Sequence, residues 1–366
     1  MAIPGTESID CNVLEAARDR LASLAARGQR LVVAFSGGKD SLAVLALCRE
    51  MFGTVDAVFK DQEVIPDSVV KFVEGIRREP WCRLKWFCVE EEATRWILGQ
   101  SLTFRQWDAK REHIRPMPDY AIRCAAAGHR GSAWYRYVLA QYPSERIILL
   151  TGLRADESNT RRSSVLNCWR TPELAATDAS VRVKIGRPIY DWSEADVFKF
   201  LRDSNTEYCR TYDAQAMAGR RLRVHHALSA EAMKDSRTLA EIEPEFYRRM
   251  TAIFPEVVEH VRYYHQIVAD LSFEQLPQSL DGLLTYCRAK LAGHPRLSKA
   301  ETITNTLWNL HQRSPEQYPI RHIFLQIRAG GIFRKMQAVS RKRQTRSTAS
   351  NGCTGQALQP TTTTPT

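Results

Sequence analysis

The stretch that decides the fold is Leu31-Val32-Val33-Ala34-Phe35-Ser36-Gly37-Gly38-Lys39-Asp40-Ser41. It begins with five apolar residues, a pattern typical of a strand that is buried on both faces of a parallel sheet. Two glycines follow, and residues 42–51 are then predicted to form a helix. The chain is therefore expected to run from a strand through a glycine turn into a helix.

A glycine turn at the start of a helix is suited to hold phosphate groups. Gly37 and Gly38 let the main chain come close, backbone N–H groups face the ligand, and the positive end of the helix favours an anion. Lys39 adds a mobile cation, and Ser36 and Ser41 add hydroxyl donors. The alternative is a tight turn between strand and helix with an exposed lysine.

The spacing of this loop excludes two common nucleotide-binding motifs. It fits neither the G-x-x-x-x-G-K-[ST] pattern of Walker proteins nor the G-x-G-x-x-G pattern of dinucleotide-binding proteins. Asp40 completes the loop and either caps the helix or helps to hold a magnesium ion that accompanies the phosphates.

Strands and helices alternate beyond the loop. Strands are predicted at residues 55–59, 84–89 and 146–150, and a helix at residues 66–77. This alternation predicts an α/β fold with a doubly wound parallel sheet of the Rossmann-like class. Residues 100–130 interrupt it and are predicted to form an active-site loop or lid that carries substrate contacts.

Four segments are predicted along the chain. They are an N-terminal helix in residues 1–28 capped by Ser8, a nucleotide-binding domain in residues 29–225, a helical C-terminal region in residues 226–337, and a disordered tail in residues 338–366. Periodic apolar residues place C-terminal helices around residues 243–270, 278–292, 298–312 and 315–329.

Composition narrows the class of protein further. The 366 residues, 44% of them apolar, suit a folded globular protein. No run approaches the roughly 18 apolar residues of a membrane span, and no signal peptide is apparent, so a cytoplasmic location is predicted. The net charge of +11 is concentrated in residues 318–366, which hold eight Lys or Arg and no acid. That stretch either is a solvated tail or binds a polyanion such as nucleic acid.

The nine cysteines do not indicate a cofactor. They are scattered without a C-x-x-C pair or a zinc spacing, so we expect most of them to be reduced and buried. No iron–sulfur cluster and no protein-held metal site are predicted. The histidines at 113, 129, 225 and 226 also lack a metal spacing and carry no predicted role.

Four segments together resemble a known family. The loop at 36–41 resembles the PP-loop of the adenine-nucleotide α-hydrolase-like superfamily, particularly its phosphoadenosine phosphosulfate (PAPS) reductase branch, over roughly residues 25–225. The other three segments, in the order of that branch, are Asp61-Gln62-Glu63, Thr151-Gly152-Leu153-Arg154-Ala155-Asp156-Glu157-Ser158 with Arg161 and Arg162, and Arg187-Pro188-Ile189-Tyr190-Asp191-Trp192-Ser193 with Asp196. The likeness is greatest to the immunoglobulin-binding-regulator proteins of bacteria and phages.

The resemblance implies further site residues. Gly152 would let a strand end approach a ligand, and Arg154 and Arg161 would offer two guanidiniums to an anion. The alternative is that these arginines pair with nearby surface acids at 156 and 157. Asp61 is predicted to accept a hydrogen bond from a ribose hydroxyl of the nucleotide, and the alternative is that it only starts a turn.

Three functions are compatible with the resemblance. In the first, ATP and Mg²⁺ lie on the loop, an acceptor oxygen attacks the α-phosphorus, and pyrophosphate leaves. The catalytic residues would be Lys39, Asp40, Arg154 and Arg161. The acceptor would belong to sulfur transfer or nucleic-acid modification. In the second, a cysteine thiolate reduces PAPS, but the Glu-Cys-Gly-x-His element of the reductases is missing, and Cys353 stands in a different context. The third is a nucleotide-sensing regulator without turnover that acts with a ParB-like partner.

We expect deletion of residues 340–366 to leave the melting temperature and nucleotide affinity unchanged. The segment lacks the apolar surface needed to offset the entropy of ordering. Circular dichroism and calorimetry on the truncated chain test this expectation, and a drop of several degrees would show that the tail docks on the fold. If the tail binds a polyanion, only salt-dependent binding to nucleic acid should weaken.

Overall fold

A computed structural model describes most of the chain. The described residues are 12–98, 100–125, 134–142, 146–168, 170–176, 182–220, 223, 226–234, 236–269, 276–328, 332–333 and 336. They fall into two compact units, Met1–Asp270 and Leu271–Thr366. The predicted Ser8 cap and the predicted tail at 338–366 lie outside the described residues.

Nine strands occur among the described residues. They are β1 (Arg30–Ala34), β2 (Val55–Asp61), β3 (Cys82–Glu90), β4 (Glu92–Ile97), β5 (Gln100–Arg105), β6 (Ile122–Ala125), β7 (Ile147–Leu150), β8 (Leu174–Ala176) and β9 (Val183–Gly186). The strands predicted at 31–35, 55–59, 84–89 and 146–150 correspond to β1, β2, β3 and β7.

Fourteen helices occur in the same residues. In the first unit they are α1 (Val13–Ala25), α2 (Lys39–Phe52), α3 (Asp67–Arg78), α4 (Trp134–Ala140), α5 (Asn159–Leu166), α6 (Glu194–Asp203), α7 (Thr211–Met217), α8 (Ala230–Met233), α9 (Ser236–Ile242), α10 (Pro244–Ile253) and α11 (Glu256–Ala269). In the second unit they are α12 (Leu280–Lys290), α13 (Leu297–Arg313) and α14 (Ile320–Arg328). No helix in the described ranges combines the length and apolar character that crossing a membrane requires.

Seven strands form one sheet in the order β6-β3-β2-β1-β7-β9-β8. All neighbours in it are parallel except β8 and β9, which pair antiparallel at one edge. The strand order reverses between β1 and β7, because β2, β3 and β6 lie on one side of β1, and β7, β9 and β8 lie on the other. The predicted doubly wound parallel sheet is confirmed, and its switch point lies between β1 and β7.

Both faces of the sheet are covered. Alternate residues of β1 point to opposite sides, so Val33 belongs to a core with α1, α2, α3 and α6, whereas Val32 belongs to a core with α4. All four residues of β7 are buried. This burial on two faces explains why the strands read as continuous apolar runs in the sequence.

The N-terminal helix starts later than predicted. The side chain of Asn12 accepts a hydrogen bond from the backbone N–H of Leu14 at 3.0 Å and caps α1, so Asn12 takes the place assigned to Ser8. Ala17, Leu21 and Leu24 lie on the buried face of the helix. These residues join the core that also contains α2.

The first unit continues well past residue 225, where the sequence placed the end of the nucleotide-binding domain. Ala227 N–H donates to Val64 O at 2.8 Å, and Phe246 and Met250 join Val64 in one apolar cluster. Residues 226–269 are therefore packed on the segment that follows β2. The second unit has its own core between α12, α13 and α14.

In its described part, the insertion at 100–130 does not form a lid over the cavity of about 830 Å³ at the end of the sheet. It contains β5, which pairs antiparallel with β4, and an irregular segment that leads to the edge strand β6. None of the described residues 100–125 lines that cavity. Residues 126–130 lie outside the described part of the chain.

Two buried carboxylates hold this insertion in place. Arg115 Nη2 lies 2.5 Å from Asp61 Oδ1, and Arg111 Nη1 lies 2.7 Å from Glu63 Oε1. Trp86 Nε1 also donates to Asp61 Oδ2 at 2.9 Å. Both acids are completely buried, so their charges depend on these partners.

We expect Asp61→Ala to lower the free energy of unfolding of the first unit by roughly 3–5 kcal/mol, because it leaves Arg115 buried without its counter-charge. Asp119→Ala, at an exposed position of the same segment, is the matched control and should stay within about 0.5 kcal/mol of the wild type. Urea unfolding measures both. Equal stability of the two variants would contradict an anchoring role for Asp61.

Candidate nucleotide-binding site

A large cavity lies at the carboxyl ends of β1 and β7, and we call it the sheet-end cavity. Its volume is about 830 Å³, and its lining includes Ser36, Lys39, Gly152 and Arg154. Parallel sheets bind ligands in the crevice where the strand order reverses. The cavity has the position that this rule predicts.

Gly37 makes the turn between β1 and α2. Its φ is +78°, in the region that favours glycine, and a Cβ at this position would come within 2.7 Å of Val69 and 2.9 Å of Val73. Gly37 does not line the cavity among the described residues. It therefore acts by letting the loop pack against α3, while Gly38 lines the cavity and is the N-cap of α2.

Gly152 brings the end of β7 against the first turn of α2. A Cβ at Gly152 would lie 2.4 Å from the backbone carbon of Asp40 and 2.6 Å from the backbone nitrogen of Ser41. No side chain fits at such distances. Gly152 was predicted to allow a close approach to a ligand. In the structure it allows a close approach between the end of β7 and the first turn of α2.

The two serine hydroxyls shape the loop. Ser41 Oγ donates to Gly38 O at 2.9 Å and accepts from the backbone N–H of Ser36 at 3.1 Å. Ser36 Oγ lies 3.0 Å from Ser41 Oγ. Because the one proton of Ser41 is used on Gly38, we infer that Ser36 donates to Ser41. In this structure the predicted hydroxyl donors hold the loop together.

Lys39 and Asp40 are paired with charged neighbours. Lys39 Nζ lies 3.1 Å from Glu194 Oε1 and 3.4 Å from Asp40 Oδ2. Asp40 does not cap the helix, since Gly38 is the N-cap, and its Oδ1 accepts from Arg154 Nε at 2.7 Å. The predicted cation is inside the cavity, and carboxylates surround it.

The two predicted arginines both line the sheet-end cavity. Arg154 is buried and binds Asp40, whereas the guanidinium of Arg161 forms an ion pair with Glu157 one helical turn away. Arg161 therefore pairs with a nearby acid, as in the alternative given for it in the sequence analysis. For Arg154 the main partner is the loop itself, because Asp156 is 4.0 Å away.

Asp61 lies elsewhere, which corrects the predicted ribose contact. It does not line the sheet-end cavity, and its two oxygens bind Arg115, Trp86 and the backbone N–H of Glu63. Its side chain is completely buried. The sequence pattern of an acidic residue after a strand does not distinguish an acid that faces a ligand from one that pairs with an arginine of the protein.

Tyr212 was missed by the sequence analysis. Its hydroxyl accepts the backbone N–H of Lys39 at 2.9 Å, and its ring lies 5.5 Å from Lys39 Nζ. Burial raises the pKa of the Tyr212 hydroxyl well above its usual range, so the group stays protonated. Its own hydrogen has no acceptor among the described residues, and we infer that it is available to a ligand in the cavity.

Arg187 is a second residue without an assigned role in the sequence. It is buried, lines the sheet-end cavity and donates to Ser164 O at 3.1 Å. Its Nε is buried without a hydrogen-bond partner among the described residues. A buried donor of this kind favours an anionic oxygen nearby.

Charge in the cavity is balanced. Its lining holds five basic side chains, Lys39, Arg154, Arg161, Arg187 and Arg223, and five acidic ones, Asp40, Asp156, Glu157, Glu194 and Glu231. A bare triphosphate would meet these carboxylates, so a nucleotide that carries its own divalent cation fits better. The described residues contain no cluster of three or more possible metal ligands. The described lining residues therefore do not fit a magnesium site held by the protein itself. Asp40, which was predicted to help hold magnesium, is paired with Arg154.

Six of the seven described cysteines are buried, and none of the seven lines the sheet-end cavity. This agrees with the prediction that most are buried. Burial raises the pKa of the Cys82 thiol to about 12 and that of Cys124 to about 11. These thiols are poor nucleophiles at neutral pH. Cys353 lies outside the described residues.

The fold and this cavity define an α/β protein with a glycine loop built for anions at the switch point of a parallel sheet. Residues 30–250 match the family model of the phosphoadenosine phosphosulfate reductase domain. The match covers more than half of the chain, so the chain belongs to this family. The predicted family branch is confirmed, and the greater likeness to the immunoglobulin-binding-regulator proteins stays a prediction.

Individual relatives are distant. The chain is 25% identical over 264 residues to the Uncharacterized protein YbdN of Escherichia coli (strain K12), covering 66% of this chain and 65% of that protein. An FMN adenylyltransferase of Candida glabrata, solved with FMN and an ATP analog, is 15% identical over 55% of this chain and 59% of its own, with a TM-score of 0.37. A PAPS reductase of Candida auris is 11% identical to this chain. The match covers 58% of this chain and 90% of the reductase, again with a TM-score of 0.37. The family match therefore carries the assignment.

We expect Tyr212→Phe to raise the Kd for ATP about tenfold or more, because a hydrogen bond to a charged group contributes about 1.5–3 kcal/mol. Tyr208→Phe is the matched control, since that hydroxyl donates to Asp213 and does not line the cavity. Calorimetry with ATP and Mg²⁺ measures both. Tighter binding by Tyr212→Phe would instead mean that the hydroxyl competes with the ligand for the N–H of Lys39.

Proposed function

We propose that the protein is an ATP pyrophosphatase-type enzyme that adenylates an acceptor and releases pyrophosphate. One observation carries the proposal: Ser36 and residues 38–41 of the loop line the same cavity as Gly152, Arg154 and Arg161. The backbone N–H groups at the start of α2 and the side chains of Lys39 and Arg154 suit a triphosphate. Membership of a family named for a nucleotide-dependent reaction supports adenine nucleotide as the ligand.

The chemistry follows from where the cations lie. An acceptor oxygen attacks the α-phosphorus, and negative charge builds on the phosphoryl oxygens and on the leaving pyrophosphate. Lys39 and the N–H groups of the loop stabilise that charge, while Arg154 is held by Asp40 within the same wall. Magnesium would arrive with the nucleotide and supply charge neutralisation.

Reduction of PAPS has less support. It needs a reactive thiolate next to the nucleotide, and the described cysteines are away from the sheet-end cavity. The alternative proposal without catalysis is a regulator that senses a nucleotide and acts with a ParB-like partner. We also propose that the reaction serves sulfur transfer, that the tail at 338–366 binds nucleic acid, and that the protein is cytoplasmic.

We expect Arg154→Ala and Arg161→Ala to reduce pyrophosphate release from ATP by roughly 10²-fold or more in kcat/KM, the scale for removing one preorganised donor. The Kd for ATP should change much less, because a guanidinium aimed at developing charge acts mainly in the transition state. Pyrophosphate release across candidate acceptors and calorimetry give the two values. Lys39→Ala serves as the contrast, since it should weaken ATP binding itself by about 1.5–3 kcal/mol.

Three results would contradict this proposal in different ways. ATP binding without pyrophosphate release across all acceptors would favour the regulator. Sulfite formed from PAPS, and lost in a cysteine variant, would favour the reductase. Equal ATP affinity in the wild type and in Lys39→Ala would remove Lys39 from the site.

A further inference from the structure

A smaller cavity adjoins the sheet-end cavity, and we call it the side cavity. Its volume of about 90 Å³ is several times the ~10–15 Å³ that one water molecule needs, so it admits a group of several heavy atoms. Arg223 and Glu231 line both cavities. Both cavities therefore border on these two charged side chains, and we call this border the mouth of the side cavity.

Much of the wall of the side cavity is apolar. It is built from α3, α8, α9 and the segments beside them. Its apolar residues are Pro66, Val69, Ala227, Ala232, Leu239 and Ile242. Each Å² of apolar surface removed from water contributes about 25 cal/mol, so this wall favours an apolar group.

The polar side chains in that wall already have partners. The bonds are Arg220 Nε to Thr238 Oγ1 at 3.0 Å, Gln215 Nε2 to Arg223 O at 2.8 Å, Arg223 N to Gln215 Oε1 at 3.0 Å, and Ser68 N to Glu243 Oε2 at 3.3 Å. These bonds also fix the wall, because they tie α3 to the start of α10 and α7 to Arg223. An occupant without polar groups leaves all of them intact.

The mouth of the side cavity carries a cation. Arg223 Nη2 lies 3.5 Å from Glu157 O, which is long for a hydrogen bond. A guanidinium has five N–H donors in a fork that matches a carboxylate. Within the described part of the chain this contact uses one of them, so the guanidinium is able to bind an anion. The carboxylate of Glu231 is bound by Lys234 at 2.9 Å.

We propose that the side cavity is the acceptor subsite and that the acceptor is a small carboxylate with an apolar body. The body occupies the side cavity, and the carboxylate binds Arg223 at the mouth, next to the nucleotide cavity. This inference rests on the adenylation proposed above and names the class of its acceptor.

The reaction balances with these two substrates alone. A carboxylate oxygen forms a bond to the α-phosphorus of ATP, and the bond from that phosphorus to the bridging oxygen of the pyrophosphate breaks. Pyrophosphate leaves with the electron pair, and the product is an acyl adenylate. The attacking group is already ionised at neutral pH, so no base has to remove a proton, and nothing is oxidised or reduced.

The probe for this site is isocaproate, a branched aliphatic carboxylate, added to the full chain. We expect Ala232→Phe, which fills the side cavity, to raise the Kd for isocaproate about tenfold or more and to leave the Kd for ATP within about twofold. Arg223→Gln should weaken isocaproate but not the alcohol with the same carbon chain. Ala216→Phe, at an exposed position of α7, is the matched control and should behave as the wild type.

Calorimetry gives each Kd, and a melting curve shows that each variant is folded. If Ala232→Phe unfolds, the smaller change Ala232→Leu takes its place, and Arg223→Gln tests the mouth independently. Equal binding of isocaproate by the wild type and the filled variant would overturn the proposal, as would equal binding of the acid and the alcohol by the wild type.

Binding of ATP separates this inference from the proposed function. A chain that binds ATP and does not bind isocaproate refutes the carboxylate subsite and leaves adenylation of another acceptor standing. A chain that binds isocaproate in the side cavity and does not bind ATP refutes adenylation and supports the carboxylate site alone.

Discussion

The close contact between Gly152 and the first turn of α2 is the constraint on which the site depends. β1 and β7 are neighbours in the sheet, so the chain leaving β7 passes directly over the start of the helix that follows β1. Any Cβ at Gly152 would separate the two. The contact places Arg154 beside Asp40 and joins two segments that are more than a hundred residues apart into one wall. The cavity exists because of that approach.

Charge inside the cavity then determines what can enter it. Lys39 is buried beside two carboxylates, and the two predicted arginines bind acids of the same wall. A ligand has to replace these carboxylates as partners of the cations. An anion with a single charge replaces one of them at most, whereas a nucleotide triphosphate with its divalent cation offers several oxygens at once and less net repulsion. For the function proposed above, this arrangement favours ATP with its divalent cation over a small anion.

The sequence was most informative where a local pattern defines a structure. The apolar run before the loop, the glycine pair and the alternation of strands with helices predicted the parallel sheet, and the strand ends brought 36–41 and 152–161 together. Asp61 was misplaced because its partner, Arg115, lies 54 residues further along the chain. Tyr212 was given no role in the site because Lys39, whose backbone N–H it accepts, lies 173 residues away along the chain. The end of the first unit was placed too early because periodicity shows that a helix has an apolar face, but not what that face contacts.

Anchoring of the insertion by Asp61 and Glu63 limits where the cavity can extend. The acids at the end of β2 bind Arg115 and Arg111, so this strand end is occupied by the protein's own side chains. The described lining of the sheet-end cavity comes instead from the ends of β1, β7 and β9, the start of α2, Tyr135, and residues within the ranges 151–161 and 194–231. The proposed acceptor subsite, the side cavity, borders on this lining at Arg223 and Glu231. In the two proposals above, the acceptor is therefore recognised by Arg223 and the apolar wall beside it, while the loop, Gly152 and Tyr212 hold the nucleotide.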